Sequence, residues 1–262
     1  MNAIETWEQV VLNYREQRLN SASYWAGEHA RWYHTWVNRN DDAAKIYPIF
    51  RHLVSGRVLE VGAGTGLFTA FLALDALHVD VLEPSLDMLS YIKADLDTQN
   101  LTLLPFRIED YLPCLCANDF TLAAHSLFNV LEIQSVLESL LANCKNLVVL
   151  IGTGEAHSFH QMVRDHFGIQ KKGAAPPSYK HLSAVLDFLG LEYHLQQVCT
   201  PVSYFYAQKE KLLQELSGSC GLDQSDLAEL GEFVKPYTHQ NRDEFWYEGQ
   251  RKQAVFTLKG NL

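Results

Sequence analysis

The first residues in this chain whose types and spacing suggest chemistry are one carboxylate and three glycines. Glu60 sits in the apolar run Val58-Leu59-Glu60-Val61, and Gly62-Ala63-Gly64-Thr65-Gly66 follows directly. A strand-like run, a glycine turn and then a helical pattern make a nucleotide-type turn, where glycine lets backbone and ligand approach closely. A dinucleotide fingerprint reads Gly-x-Gly-x-x-Gly and sets a helix N-terminus against a pyrophosphate. This chain has Gly-x-Gly-x-Gly with an acidic residue on the preceding strand, and a carboxylate there suits a cationic ligand group.

Other candidates follow at the ends of later apolar runs. Glu83 closes Val79-Asp-Val-Leu, 17 residues beyond Gly66, where a carboxylate can accept from both hydroxyls of a ribose. After the third run comes Ile108-Glu109-Asp110. A carboxylate beside a backbone donor matches an adenine edge, either Glu109 or Asp110 can supply it, and Ile108 can cover the ring. His125, Ser126 and Asn129 end the fourth run, where ligand and substrate meet in open α/β sheets.

A second group of candidates lies outside these runs. His157 and His160 would stand one turn apart on a helix starting near Glu155, as a general base or, with less support, as metal ligands. With no clear third ligand, and with Cys114 and Cys116 lacking a second pair at finger spacing, the expected metal is none. Tyr24, Trp25, Tyr33 and Tyr204 can form part of an acceptor pocket, although core packing is the simpler account of such rings. Arg31, Arg164, Lys171 and Lys172 can bind an acidic substrate but are more simply solvated surface charges.

These residues need a framework, and the pattern from Arg57 to Gly152 supplies one. Short apolar runs (58–61, 79–82, 101–106, 120–124 and 147–151) alternate with stretches of helical length (67–77, 86–96 and 132–141), as in a parallel sheet with crossover helices. Residues 1–50 are aromatic-rich and amphipathic and read as helices packed on the following domain. Beyond Gly152 the pattern predicts a helix over 179–189, a strand over 192–206, two helices between 208 and 235 split at Ser217–Gly221, and a closing strand over 253–258.

The fold class expected is thus α/β: a Rossmann-like, mostly parallel seven-stranded sheet with N-terminal helices and a C-terminal helical insertion before the last strand. The expected divisions are a helical cap (1–56), a cofactor-binding core (57–152), and the remainder of the sheet with a substrate-enclosing insertion (153–262).

Bulk properties narrow the partners. A net charge of −10 disfavours surfaces that must neutralise many phosphates, so nucleic acid and anionic membranes are not expected partners. No apolar stretch is long enough to span a bilayer, and the first residues lack a basic start and apolar core, so a cytoplasmic protein is expected. Five scattered cysteines make a poor disulfide framework and suit a reducing compartment. A monomer or homodimer is expected.

Glu60 through Gly66 resemble the first motif of the class I S-adenosylmethionine-dependent methyltransferases, an acidic residue followed by Gly-x-Gly-x-Gly. The resemblance implies S-adenosylmethionine as cofactor, with Glu60 near its methionyl amino group and Gly62, Ala63, Gly64 and Gly66 under its amino acid and ribose. It also implies that Glu83, Pro84, Ser85 and Met88 flank the ribose and adenine, and that Ile108 with Glu109 or Asp110 reads the adenine. The Asn/Asp-Pro-Pro-Tyr/Phe signature of base-amino methylation is absent, with His125-Ser-Leu-Phe in its place. The aromatic N-terminal part and the Ala-His-Ser-Leu turn are similar to a bacterial subgroup acting on small molecules. The function expected is in-line methyl transfer to a small-molecule acceptor. The alternatives are a non-catalytic S-adenosylmethionine-binding module or partner subunit and, with the glycine spacing against it, an NAD-dependent oxidoreductase.

Overall fold

The computed structural model describes residues 1–17, 25–97, 99–155, 158–170 and 175–262. The chain forms two units: Met1–Gly154 with Ala174–Val198 and Gln253–Leu262, and Glu155–Gly173 with Cys199–Lys252.

The first unit holds the sheet. The five apolar runs become β1 (Arg57–Val61), β2 (His78–Leu82), β3 (Leu101–Leu104), β4 (Asn118–Ala124) and β5 (Cys144–Gly152). Three later strands are β6 (Tyr193–Tyr206), β7 (Thr238–Gln240) and β8 (Phe245–Lys259). The path β3-β2-β1-β4-β5-β8-β6 has seven strands, and β7 pairs with β8 off that path. Neighbours among β1 to β5 are parallel, with Val58 opposite both Val79 and Phe120, while β8 runs antiparallel to β5 with Phe256 opposite Val149. Strand order reverses between β1 and β4, so the crevice beyond their carboxyl ends is where this architecture places a ligand.

Period-two alternation sorts the apolar side chains onto two faces. Leu59, Val61, Ala123, Leu147, Val149 and Ile151 pack with one set of helices, and Val58, Val79, Val81, Phe120, Leu122, Val148 and Leu150 with another. On the first face lie α1 (Ala3–Gln17), α7 (Ile133–Ala142) and α9 (Tyr179–Phe188), which contribute Trp7, Val11, Val136, Leu140, Leu182 and Val185. On the second lie α3 (Asp42–Phe50), α4 (Thr69–Asp75) and α5 (Leu86–Asp95), with Ile46, Phe50, Leu72, Leu89 and Ile92. A sheet buried on both faces explains why these strands read as near-continuous apolar runs. Trp7 shows why part of the N-terminal aromatic content is structural: it is fully buried, and its Nε1 donates to the Val130 carbonyl at 2.7 Å. Helices α2 (Gly27–Asn40) and α6 (Ile108–Tyr111) complete this unit.

The second unit contains α8 (Ser158–His166), α10 (Lys209–Cys220), α11 (Leu227–Val234) and β7. Its core is Phe159, Val163, Leu212, Leu216, Leu230, Val234 and Tyr247. Two expected boundaries move here. The predicted break at Ser217–Gly221 falls later, because Leu216 and Cys220 are buried one turn apart and α10 runs through them. It stops at left-handed Gly221, where the Gly221 and Leu222 amides donate to the Ser217 carbonyl. The closing strand starts at Phe245 rather than Gln253, because β7 pairs with its polar first half, Thr238 facing Tyr247.

Candidate cofactor site

The glycine turn is built by conformations that only glycine adopts cheaply. Gly62, Gly64 and Gly66 have φ of 70°, 58° and 91°. A Cβ on Gly62 would stand 2.4 Å from Cβ of Ser126, and one on Gly66 2.8 Å from Cγ1 of Ile92. On Gly64 the nearest atom would be Cε1 of Tyr33 at 3.6 Å. The turn is therefore closed beneath Gly62 by the end of β4, and it meets the ring of Tyr33 at Gly64.

Four of the five amides from Gly62 to Gly66 are already engaged. Gly62 and Ala63 both donate to the Leu82 carbonyl, at 2.7 and 3.0 Å, Gly66 donates to Ala63, and Gly64 donates to Glu83 Oε2 at 2.8 Å. A pyrophosphate needs such donors free and aimed at it. This turn instead spends them on β2, which opposes the dinucleotide reading in a way that spacing alone did not.

Two buried carboxyls flank the turn. Glu60 is 2% exposed and accepts from Thr69 Oγ1 at 2.5 Å. Burial pushes its carboxyl up to about 8, the nearby Glu83 adds to that, and the Thr69 bond only partly offsets it. Glu83 is 7% exposed, with Oε1 accepting from the Ser85 amide at 2.9 Å and Oε2 from Gly64. Burial also raises its pKa, against the pull of those two amides. The pair is short of positive charge, and among the described residues no Lys or Arg forms an ion pair with either. Buried hydroxyls of Thr65 and Ser126 lack a hydrogen-bond partner among the described residues. A ligand with a cationic end and several polar groups fits this set.

No protein-family model and no curated protein matches the chain. Solved structures do. A DhpI–SAM–HEP complex is 20% identical over 70% of this chain and 92% of that one, with a TM-score of 0.52. The plantazolicin methyltransferase BpumL in complex with SAH is 11% identical, covers 99% of each chain and gives 0.55. The YcgJ protein from Bacillus subtilis is 12% identical over 82% and 97%, with 0.50. The chain has the class I methyltransferase fold.

In that fold the remaining predicted residues distribute unevenly. Pro84 is exposed, whereas Met88 is buried in the first turn of α5, its amide donating to the N-capping Ser85 Oγ at 3.2 Å. Ile108 is buried at the start of α6; Glu109 pairs with Arg107 at 3.1 Å, and Asp110 is exposed. His125 takes φ 52°, a conformation rare outside glycine, and its Nε2 stands 2.5 Å from Oε1 of fully buried Gln253 on β8. Ser126 underlies Gly62. Asn129 is held by α1, with Arg15 Nε donating to its Oδ1 at 3.0 Å and the other guanidinium nitrogen to its carbonyl. Gln253, Arg15 and Thr69 were not anticipated, since nothing in their local pattern separates them from ordinary strand or helix residues.

Helix α2 brings Tyr33 to the turn, and Trp25, two residues before the helix, packs beside it. The Trp25 carbonyl accepts from Ser85 Oγ at 2.5 Å, and the Trp25 and Tyr33 rings meet edge to face at 5.2 Å. The Gly27 amide donates to Asp87 Oδ2 at 2.6 Å, so a carboxylate of α5 caps the start of α2. Asp87→Ala should cost about 0.5–2 kcal/mol. Faster amide exchange over residues 27–33, with the rest of the sheet unchanged, would show the loss.

The other candidates lie elsewhere. Tyr24 and His157 fall outside the described residues, as do Lys171 and Lys172. His160 and Tyr204 belong to the second unit, where His160 Nε2 meets Tyr247 Oη at 2.8 Å and the Tyr204 and Tyr247 rings stack at 5.1 Å. Among the described residues no three His, Cys, Asp or Glu side chains gather as metal ligands, and Cys114 and Cys116 are exposed free thiols.

Proposed function

We propose that this protein is an S-adenosylmethionine-dependent methyltransferase acting on a small molecule. The observation that carries the reading is the pair of buried, uncompensated carboxyls on either side of a glycine turn whose Gly62, Ala63 and Gly64 amides are spent on Leu82 and Glu83. A ligand with an ammonium group for Glu60 and a ribose diol for Glu83 satisfies both. Two structures of like fold, DhpI and BpumL, carry SAM or SAH. The acidic chain supports a small acceptor over nucleic acid.

When bound, the cofactor supplies an electrophilic methyl on a sulfonium. That methyl would pass in line to an acceptor lone pair, the carbon–sulfur pair leaving with the thioether. Glu60, Gly62 to Gly66, Glu83, Pro84, Met88, Ile108 and Glu109 or Asp110 would hold and orient it, which is where most of the acceleration of an in-line displacement arises. An acceptor that is a neutral hydroxyl or a protonated amine needs a base. We assign that role to His125, just beyond β4, whose Nε2 lies 2.5 Å from Gln253 Oε1. Ser126 closes the floor beside it.

Incubation with methyl-labelled S-adenosylmethionine and a metabolite extract should transfer label, and retention of all label on the cofactor would count against the reading. His125→Asn keeps a residue tolerant of the left-handed backbone. It should leave the cofactor Kd within about twofold while lowering kcat roughly 100-fold or more. An unchanged kcat would remove His125 from the chemistry.

A further inference from the structure

The second unit contains a charge that the sequence gives no reason to find buried. Arg164 lies on α8, one turn beyond His160, where an amphipathic pattern reads as a solvated face; its side chain is instead only 4% exposed. Its Nε is buried with no hydrogen-bond partner, and the guanidinium forms no ion pair among the described residues. The adjacent acids are committed elsewhere: Asp165 accepts from Gln161, and Glu229 faces His166 at 3.3 Å.

The acidic side chains of this unit's core, Cys220 beside Arg164 and the tyrosines Tyr206 and Tyr247, offer no negative charge. Cys220 feels the Arg164 charge, yet burial wins and pushes the thiol up to about 11. Burial likewise pushes Tyr206 up to about 12 and drives Tyr247 higher still. At neutral pH all three are neutral. A buried guanidinium without a counter-charge costs several kcal/mol, and a single mutation to an apolar residue would relieve it.

We propose that Arg164 is the anchor of a carboxylate-binding site in the second unit, taking a small monoanionic carboxylate in the bidentate geometry that guanidinium favours. A lone guanidinium fork, one charge with parallel donors, matches a single carboxylate. His160, one turn before Arg164 on α8 and hydrogen-bonded to Tyr247, supplies polar and aromatic surface for the body of the ligand. The site stands on this unit's own residues and does not depend on the Glu60 site.

Thermal unfolding and calorimetry with benzoate, and separately with inorganic phosphate, test this on the full chain. Benzoate should raise the Tm of the wild type in a saturable way, and Arg164→Met should weaken its binding about tenfold or more. Without added anion, Arg164→Met should melt higher than wild type, because the uncompensated charge is gone. Arg164→Lys, which keeps the charge but not the fork, should bind benzoate more weakly than wild type. Equal benzoate binding by wild type and Arg164→Met, or a preference for phosphate over benzoate, overturns the proposal. Calorimetry with S-adenosylmethionine on the same variants separates this outcome from failure of the methyltransferase reading, since Arg164→Met should leave cofactor binding intact.

Discussion

Gly62→Ala is expected to destabilise the protein by about 2–5 kcal/mol and to abolish measurable cofactor binding. Two costs add at this position. A side chain at φ 70° meets the left-handed penalty of about 1–2 kcal/mol, and a Cβ 2.4 Å from the Cβ of Ser126 forces overpacking worth about 1–3 more. The obstructing atom is the first carbon of a short side chain fixed to the end of β4, so it cannot swing away. Gly66→Ala should be less severe, since Ile92 Cγ1 at 2.8 Å belongs to a longer side chain. Gly64→Ala meets only the Tyr33 ring at 3.6 Å and should cost only the left-handed penalty, about 1–2 kcal/mol. Urea denaturation would rank the three as 62, then 66, then 64. A Gly64 variant less stable than the Gly62 variant would contradict the packing described for this turn.

That ranking shows what the residues announce and what they conceal. The turn itself is legible because glycine at left-handed φ leaves a mark in composition, and β1 to β5 are legible because a sheet buried on both faces must be apolar along its length. Which glycine is crowded is not legible, because Ser126 and Ile92 stand 64 and 26 residues along the chain from the glycines they touch. Side chains that act across the sheet escape for the same reason. Gln253 sits in an alternating strand and looks like an outward polar residue, yet it is fully buried against His125. Arg164 follows the same logic in reverse: on an isolated helix its position is a wet face, and it is dried by partners from distant elements such as Cys220. His125 carries no local sign of its left-handed backbone, since that conformation is uncommon for histidine and nothing beside it in the sequence marks the exception.

Cofactor binding at pH 7 is expected to release about one proton, and Glu60 is its source. In the free protein the Glu60 carboxyl, lifted to about 8 chiefly by burial, is mostly protonated at that pH. A cationic amino group brought against it restores the carboxylate and expels the proton. Calorimetry in buffers of different ionisation enthalpy counts that proton directly, and Glu60→Gln should bring the count towards zero while weakening binding about tenfold or more. Glu83 is also raised, so Glu83→Gln serves as the comparison, and a release carried by Glu83 would move the assignment there. The same shift has a signature without ligand. Between the unfolded carboxyl's ordinary value near 4.5 and about 8, the folded state keeps a proton that the unfolded state has lost, so stability falls as pH rises through this window. Glu60→Gln still accepts from Thr69 but cannot ionise, so its stability should vary less over that range and exceed the wild type by roughly 2 kcal/mol or more near pH 8. The substitution thus gains stability where it loses affinity, a combination expected of a carboxylate kept buried for a ligand and not of one kept for the fold.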